Sequence, residues 1–195
     1  MKIIDLSHPL TKETPHFPGD DPFQLTEEQF GDITISAIST SLHVGTHIDL
    51  PRHMMNDVKT VKDLDLNHFI GKAVVIDDIY NDVDSSVQEG LCVLIRTGHS
   101  EYFHDAKYYQ DYPEIPEDLV DQLIARKVKL IGLDTPSPDK APYRIHKKLF
   151  KHGIFIVENL AHLERLPMNE VFDFYAIPLK IDAEASMVRA FAVLK

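Results

Sequence analysis

The sequence predicts an α/β fold: a single domain, residues 1–195, built on a mixed sheet in which strand exceeds helix. Three observations predict it. The chain is 195 residues long with 44% hydrophobic and 26% charged residues, which suits one soluble globular domain with a sizeable core. Its apolar residues fall into many short runs, most of them closed by Gly, Pro, Asn or Asp. Only two segments carry a clear helical period. The proline-rich stretches "TPHFPGDDP" (14–22), "YPEIPE" (112–117) and "DTPSPDKAP" (134–142) are short and read as loops within the domain, not as boundaries.

In chain order, strands are expected at 1–6, 33–48, 73–79, 91–96, 128–133, 154–157, 174–181 and 187–194, each rich in Val, Ile, Leu or Phe. The first helix is "PEDLVDQLIARK" (116–127). Pro116 suits a first helical turn, and Leu119, Val120, Leu123 and Ile124 make one apolar face. The second is "YRIHKKLFKHG" (143–153), with Ile145, Leu149 and Phe150 on its buried side and Gly153 as its stop. A short helix is expected around 61–69. The alternation upstream of residue 40 (Ile33, Ile35) has the opposite parity to that downstream, so a bulge or bend is expected near 36–38 of the strand 33–48.

Composition excludes several functional classes. The formal charge of −11 argues against nucleic acid or an anionic membrane as the main partner. The longest apolar runs, such as "LCVLI" (91–95), are of strand length and too short to span a bilayer. "MKIIDLSHPL" lacks the pattern of a signal peptide. One cysteine, Cys92, excludes an internal disulfide framework, so a cytoplasmic location is expected. Cys92 sits inside an apolar strand pattern and reads as a buried thiol, not a nucleophile.

The chemistry concentrates in "LHVGTHIDLPRH" (42–53), where His43, His47, Asp49 and His53 fall within twelve positions. His43 and His47 are spaced i, i+4, as in helical zinc motifs. Val44, Gly45, Thr46 and Ile48 are poor helix formers, however, and Pro51 follows closely. As a strand, period two places His43, Gly45, His47 and Asp49 on one face and Leu42, Val44, Ile48 and Leu50 on the other. Gly45 then leaves room between the side chains. Two imidazoles and a carboxylate make a ligand set for zinc, manganese or iron, and the carboxylate can bridge two cations. More ligands must come from elsewhere, with His8, His16, His68, His99, His104, His146, His152, His162 and many carboxylates as candidates. Glu158, at the end of "GIFIV", reads equally as a solvated strand end or as a ligand at the strand's mouth.

"HVGTHIDLPRH" resembles the H-x-G-T/A-H-x-D-x-P-x-H signature of the cyclase family, which includes bacterial kynurenine formamidases (arylformamidases) and isatin hydrolases. Four more segments resemble that family in the same order. They are "ETPHFPGDDP" (13–22), "LIGLDTPSPD" (130–139), "IHKKLFKHGIFIVENL" (145–160) and "AIPLKIDAEASMVRAFAV" (176–193). The resemblance implies a swivelling β/β/α domain that forms a homodimer or homotetramer. It also implies a site for two divalent cations, zinc or manganese. His43, His47 and Asp49 would hold the first cation. His146 would hold the second, reached also by Asp49, with Glu158 bridging. His53 would be the general acid/base. Phe17 stands where the formamidases carry a substrate-stacking Trp, and Met187 stands for a proline of the C-terminal segment.

The chemistry so implied is hydrolysis of a small-molecule amide or lactam by metal-activated water. His53, with an ordinary pKa near 6.5, would carry the proton. Two other readings compete: a hydrolase of a cyclic imide, lactone or isatin-like lactam, and a non-catalytic protein that uses the metal for binding. A structural metal site is usually closed and often Cys-rich. This one has no Cys and a spare histidine, which favours catalysis.

Overall fold

The computed structural model describes residues 1–56, 58–77 and 79–195. Ten strands and two α-helices follow one another: β1 (Lys2–Asp5), β2 (Gln24–Phe30), β3 (Ile33–Ser39), β4 (His47–Asp49), β5 (Ile70–Ile76), β6 (Cys92–Ile95), α1 (Glu117–Ala125), β7 (Leu130–Leu133), α2 (Arg144–Lys151), β8 (Phe155–Glu158), β9 (Phe172–Pro178) and β10 (Ala185–Leu194). Eight strands form one mixed sheet in the order β1-β10-β4-β8-β7-β6-β5-β9, and β9 pairs back onto β10. Seven strands thus close into a barrel-like ring, with β1 added on β10. Strands β5 to β8 run parallel, and every other pairing is antiparallel.

Closure removes most sheet edges and creates two cores. Ala73, Val75, Cys92, Leu94, Leu130, Phe155 and Val157 point inward with Ile48, Leu50, Phe174 and Ala190. Val74, Ile76, Val93, Ile95, Ile131, Leu133 and Ile156 point outward and are covered by Leu119, Val120 and Leu123 of α1 and by Ile145, Leu149 and Phe150 of α2. Both faces of the parallel strands are therefore buried, which is why they read as unbroken apolar runs. Gly132 marks the tightest packing in this layer. A Cβ there would lie 2.6 Å from side-chain carbons of both Leu94 and Leu160.

The two α-helices and seven of the eight predicted strands lie where the sequence placed them, within a few residues; of the strand predicted at 73–79, residue 78 lies outside the described residues. The strand predicted over 33–48 is corrected. Residues 33–39 pair only with β2, in a two-stranded sheet of their own, and 42–46 form turns and bends. Gly45 has φ +69°, which interrupts an extended chain. No single strand spans the segment, so the expected bulge has no place. The helix expected around 61–69 is two 3₁₀ turns, Val61–Asp63 and Leu66–His68. No helix among the described residues is long and apolar enough to cross a membrane.

Candidate metal centre

The centre lies on the outer face of the ring, where antiparallel β4 meets the end of parallel β8. Inward-facing Ile48 and Leu50 anchor β4 in the core, so His47 and Asp49 face outward. His47 pairs in register with Glu158 at the end of β8, which puts the two side chains on the same face. The turn before β4 brings His43 in. The 3₁₀ turn Pro51–His53 supplies His53, and α2 supplies His146 across the sheet.

Gly45 is needed for this arrangement for a different reason from the one its sequence position suggests. Its positive φ turns the chain between His43 and His47, and a Cβ would lie 2.6 Å from Leu10 Cδ2. It fits the turn against Leu10 and does not clear space between ligands on a shared strand face.

The six predicted residues converge. His43 Nδ1 lies 2.9 Å from Asp49 Oδ1, and His47 Nε2 lies 3.4 Å from the same oxygen. Glu158 faces two histidines at once, with Oε2 3.3 Å from His47 Nε2 and Oε1 3.2 Å from His146 Nε2. Asp49 Oδ2 lies 3.9 Å from His146 Nε2. The His53 ring centre is 4.2 Å from that of His43 and 6.2 Å from that of His146. Donor atoms of His43, Asp49 and His53 lie within 4.8 Å of one another, as do those of His47, Asp49 and Glu158. By distance alone, His53 is as well placed to donate as the others.

The buried atoms His47 Nε2, Asp49 Oδ1 and Glu158 Oε1 have no hydrogen-bond partner. Orphaned buried donors and acceptors are costly, and a cation among these three residues, which offer ligand atoms within 4.8 Å of one another, would satisfy them. The nitrogen and oxygen donor set suits zinc or manganese. Charge points the same way. Burial disfavours a proton on His43, yet the carboxylate of Asp49 more than reverses this and raises it to about 9. Burial likewise opposes charge on His146, but Asp139 and Glu158 raise it to about 10. Burial would raise Asp49, and His43 and His47 instead hold it far below the usual carboxylate range. The buried carboxylates thus demand positive charge. His53 differs: burial lowers its pKa against the opposing pull of Asp49, which favours the neutral ring.

Beside these residues opens a cavity of about 410 Å³, lined also by Phe17, Asp20, Met54, Tyr109, Pro136 and Tyr143. Phe17 meets Tyr109 edge to face at 5.7 Å, and Tyr109 is held by its hydroxyl on the Pro15 carbonyl (3.1 Å). Of the other candidate histidines, His8 stacks on Phe103 and His99 on Tyr108, while His68, His104 and His152 are exposed.

Sequence reasoning missed the residues behind the candidate ligands. Asp139 Oδ1 lies 2.6 Å from His146 Nδ1, and its Oδ2 accepts from the Ile145 amide (2.7 Å). The only signal was an acid in a proline-bounded turn ahead of a helix. Asn159 was passed over because its two amide contacts join loops with no period. Glu184, half-buried, places Oε1 3.5 Å from His43 Nε2.

A family model described as "Cyclase" matches residues 4–140. The chain belongs to the cyclase family. It is 34% identical over 203 residues to a kynurenine formamidase of Bacillus cereus, covering 96% of this chain and 95% of that protein. It is 35% identical over 204 residues to a kynurenine formamidase of Bacillus cytotoxicus, again covering 96% and 95%. Among solved structures it is similar to isatin hydrolase A from Labrenzia aggregata bound to benzyl benzoate, with a TM-score of 0.85 and 26% identity over 98% of this chain and 93% of that one. These cyclase-family relatives are hydrolases of non-peptide carbon–nitrogen bonds, and the family places this chain among metal-dependent hydrolases.

Proposed function

We propose that this chain is a metal-dependent amide hydrolase of the kynurenine formamidase type, acting on a small aryl amide, with a lactam such as isatin as the second candidate substrate. His43, His47 and Asp49 would hold one divalent cation and His146 the other, reached also by Asp49, with Glu158 shared between the two. Zinc is the favoured metal and manganese the alternative. The observation that carries this reading is the gathering of His47, Asp49 and Glu158, whose buried atoms His47 Nε2, Asp49 Oδ1 and Glu158 Oε1 stand at ion-pair distance from neighbouring side chains yet make no hydrogen bond. When bound, the cations supply an acidified water and a Lewis acid for the substrate carbonyl.

The chain's own residues do the rest. His53, kept neutral by burial, takes a proton from the attacking water and returns one to the leaving nitrogen. Phe17 and Tyr109 offer an aromatic wall to the substrate ring. No lysine or arginine lines the cavity among the described residues.

Residues 1–195 act as one domain of the swivelling β/β/α type in this reading. It works as a homodimer, and its single, buried Cys92 suits the cytoplasm. The dimer is supported by the β2–β3 arm, on which Phe30, Ile33, Ile35 and Ile38 are 55–63% exposed. An isolated two-stranded hairpin is marginal in water, so this arm needs a surface to lie on, and a second copy provides it.

The test is to strip the protein of metal and reload it with zinc or manganese. It is then assayed on N-formylkynurenine, isatin, a cyclic imide and a simple lactone, each with a chelator control. Chelator-sensitive hydrolysis of an amide or lactam is expected. Its absence on every substrate would move the protein to the non-catalytic binding class.

A further inference from the structure

His47 is aimed by hydrogen bonds that reach it through the backbone of Gly45. Its Nδ1 lies 2.8 Å from the Gly45 carbonyl oxygen. That oxygen can only accept, so Nδ1 carries a proton, and the neutral form of the ring would present the lone pair of Nε2 to the centre. The same carbonyl accepts from Asn159 Nδ2 at 3.0 Å, and Asn159 Oδ1 accepts from the Tyr108 hydroxyl at 2.7 Å.

Asn159 is itself fixed on three sides. Its φ is +57°, a conformation that asparagine tolerates better than most residues. Its amide donates to the Thr135 carbonyl (3.0 Å), and its carbonyl accepts from Thr46 Oγ1 (2.6 Å). Tyr108 is wholly buried, stacked on His99 with ring centres 5.0 Å apart, and His99 Nε2 donates to the Tyr108 carbonyl (2.9 Å). A glycine at 159 would meet the backbone requirement alone. The asparagine adds a donor that reaches the carbonyl beside His47.

We propose that Tyr108 and Asn159 are positioning residues for His47: a serial relay from the Tyr108 hydroxyl through the Asn159 amide to the Gly45 carbonyl sets the tautomer and direction of that ligand. The relay rests on the metal reading above. Groups that orient a metal-bound histidine set its affinity, and their loss commonly costs ten- to a hundred-fold. The relay also joins the ligand to the loop that carries Tyr109, the adjacent residue, on the cavity wall.

The test uses Tyr108→Phe, which removes one oxygen, and Asn159→Gly, which keeps the backbone conformation and removes both amide bonds. Zinc affinity is measured by competition with a chromophoric chelator, the cobalt-loaded absorption spectrum is recorded, and the metal-free melting temperature is followed alongside. Each variant should bind zinc about ten- to a hundred-fold more weakly and show a shifted cobalt spectrum. The double variant should be no worse than Asn159→Gly alone, because the two act in series. Wild-type affinity and spectrum in both single variants would overturn the relay, whatever the melting temperatures. Fully additive losses would overturn it too, as the mark of two independent effects. A wild-type protein that binds none of zinc, cobalt or manganese would overturn the metal reading and the relay together.

Discussion

The carboxylate of Asp139 serves two groups of one helix at once: Oδ1 meets His146 Nδ1 at 2.6 Å, and Oδ2 accepts from the Ile145 amide at 2.7 Å in the first turn of α2. The helix has no side-chain cap from its own N-cap, Tyr143, so an acid outside the helix both closes its first turn and orients the histidine it carries. An asparagine has one acceptor oxygen and can serve only one of these donors. Asp139→Asn should therefore weaken zinc binding by about ten- to a hundred-fold and destabilise the fold by about 1 kcal/mol. Isothermal titration of the metal-stripped variant checks the first effect and urea denaturation the second. Unchanged affinity with lower stability would reduce Asp139 to a helix cap.

His53 stands beside the ligands, and its assigned work is with protons. Its ring centre is 4.2 Å from that of His43, yet burial lowers its pKa while the carboxylates raise that of His43. His53→Ala should keep its full metal content by elemental analysis and lose about 10²- to 10⁴-fold in kcat, the usual worth of a positioned acid/base. A variant that purified with less metal would make His53 a ligand, a role its distance to Asp49 and His43 also allows.

How far the molecule could be read from its sequence differs from element to element. β5 to β8 were legible because both their faces are buried, so Val74 and Val75, or Val93 and Leu94, stand side by side as apolar residues. The arm was not. Ile33 and Ile35 alternate like core residues, and the alternation does not say that they stand exposed on a two-stranded sheet apart from the core. Gly45 misled in a similar way, since a strand and a turn spell the same residues, and the positive φ of Gly45 and the approach of Leu10 are seen only in the folded chain. In the centre, His43, His47, Asp49 and His53 were legible because they crowd one short segment, and the resemblance supplied His146 and Glu158. Asp139 and Asn159 act through hydrogen bonds made from loops, and such bonds leave no periodic trace.

The arm makes a prediction about assembly. In the β2–β3 register Ile33 pairs with Phe30 and Ile35 with Glu28, so these four side chains share one face. Ile33→Lys with Ile35→Lys removes apolar area from that face and gives Glu28 a cross-strand partner that helps keep the hairpin paired. The wild type should run as a dimer in light scattering coupled to size exclusion, and the double variant as a monomer with unchanged far-UV circular dichroism. A dimeric double variant would place the contact elsewhere.

His8 gives the fold a dependence on pH that is separate from the metal centre. Its ring stacks on Phe103 with centroids 3.6 Å apart and planes 6° apart, and its buried Nε2 has no hydrogen-bond partner. Burial lowers its pKa from 6.5 to about 4, with the nearby His162 and His104 adding to the effect. A depressed histidine is neutral in both states above pH 6.5 and costs nothing there. As pH falls from 6.5 towards 4, the unfolded chain takes up the proton and the folded one does not, so stability is lost across that window, by up to about 3 kcal/mol. His8→Phe keeps a ring against Phe103 and cannot titrate. The stability difference between wild type and His8→Phe, measured by urea denaturation at pH 7.5 and pH 4, should move in the variant's favour by about 2–3 kcal/mol at the lower pH. A difference that stayed constant between the two pH values would show that His8 accepts its proton within the fold.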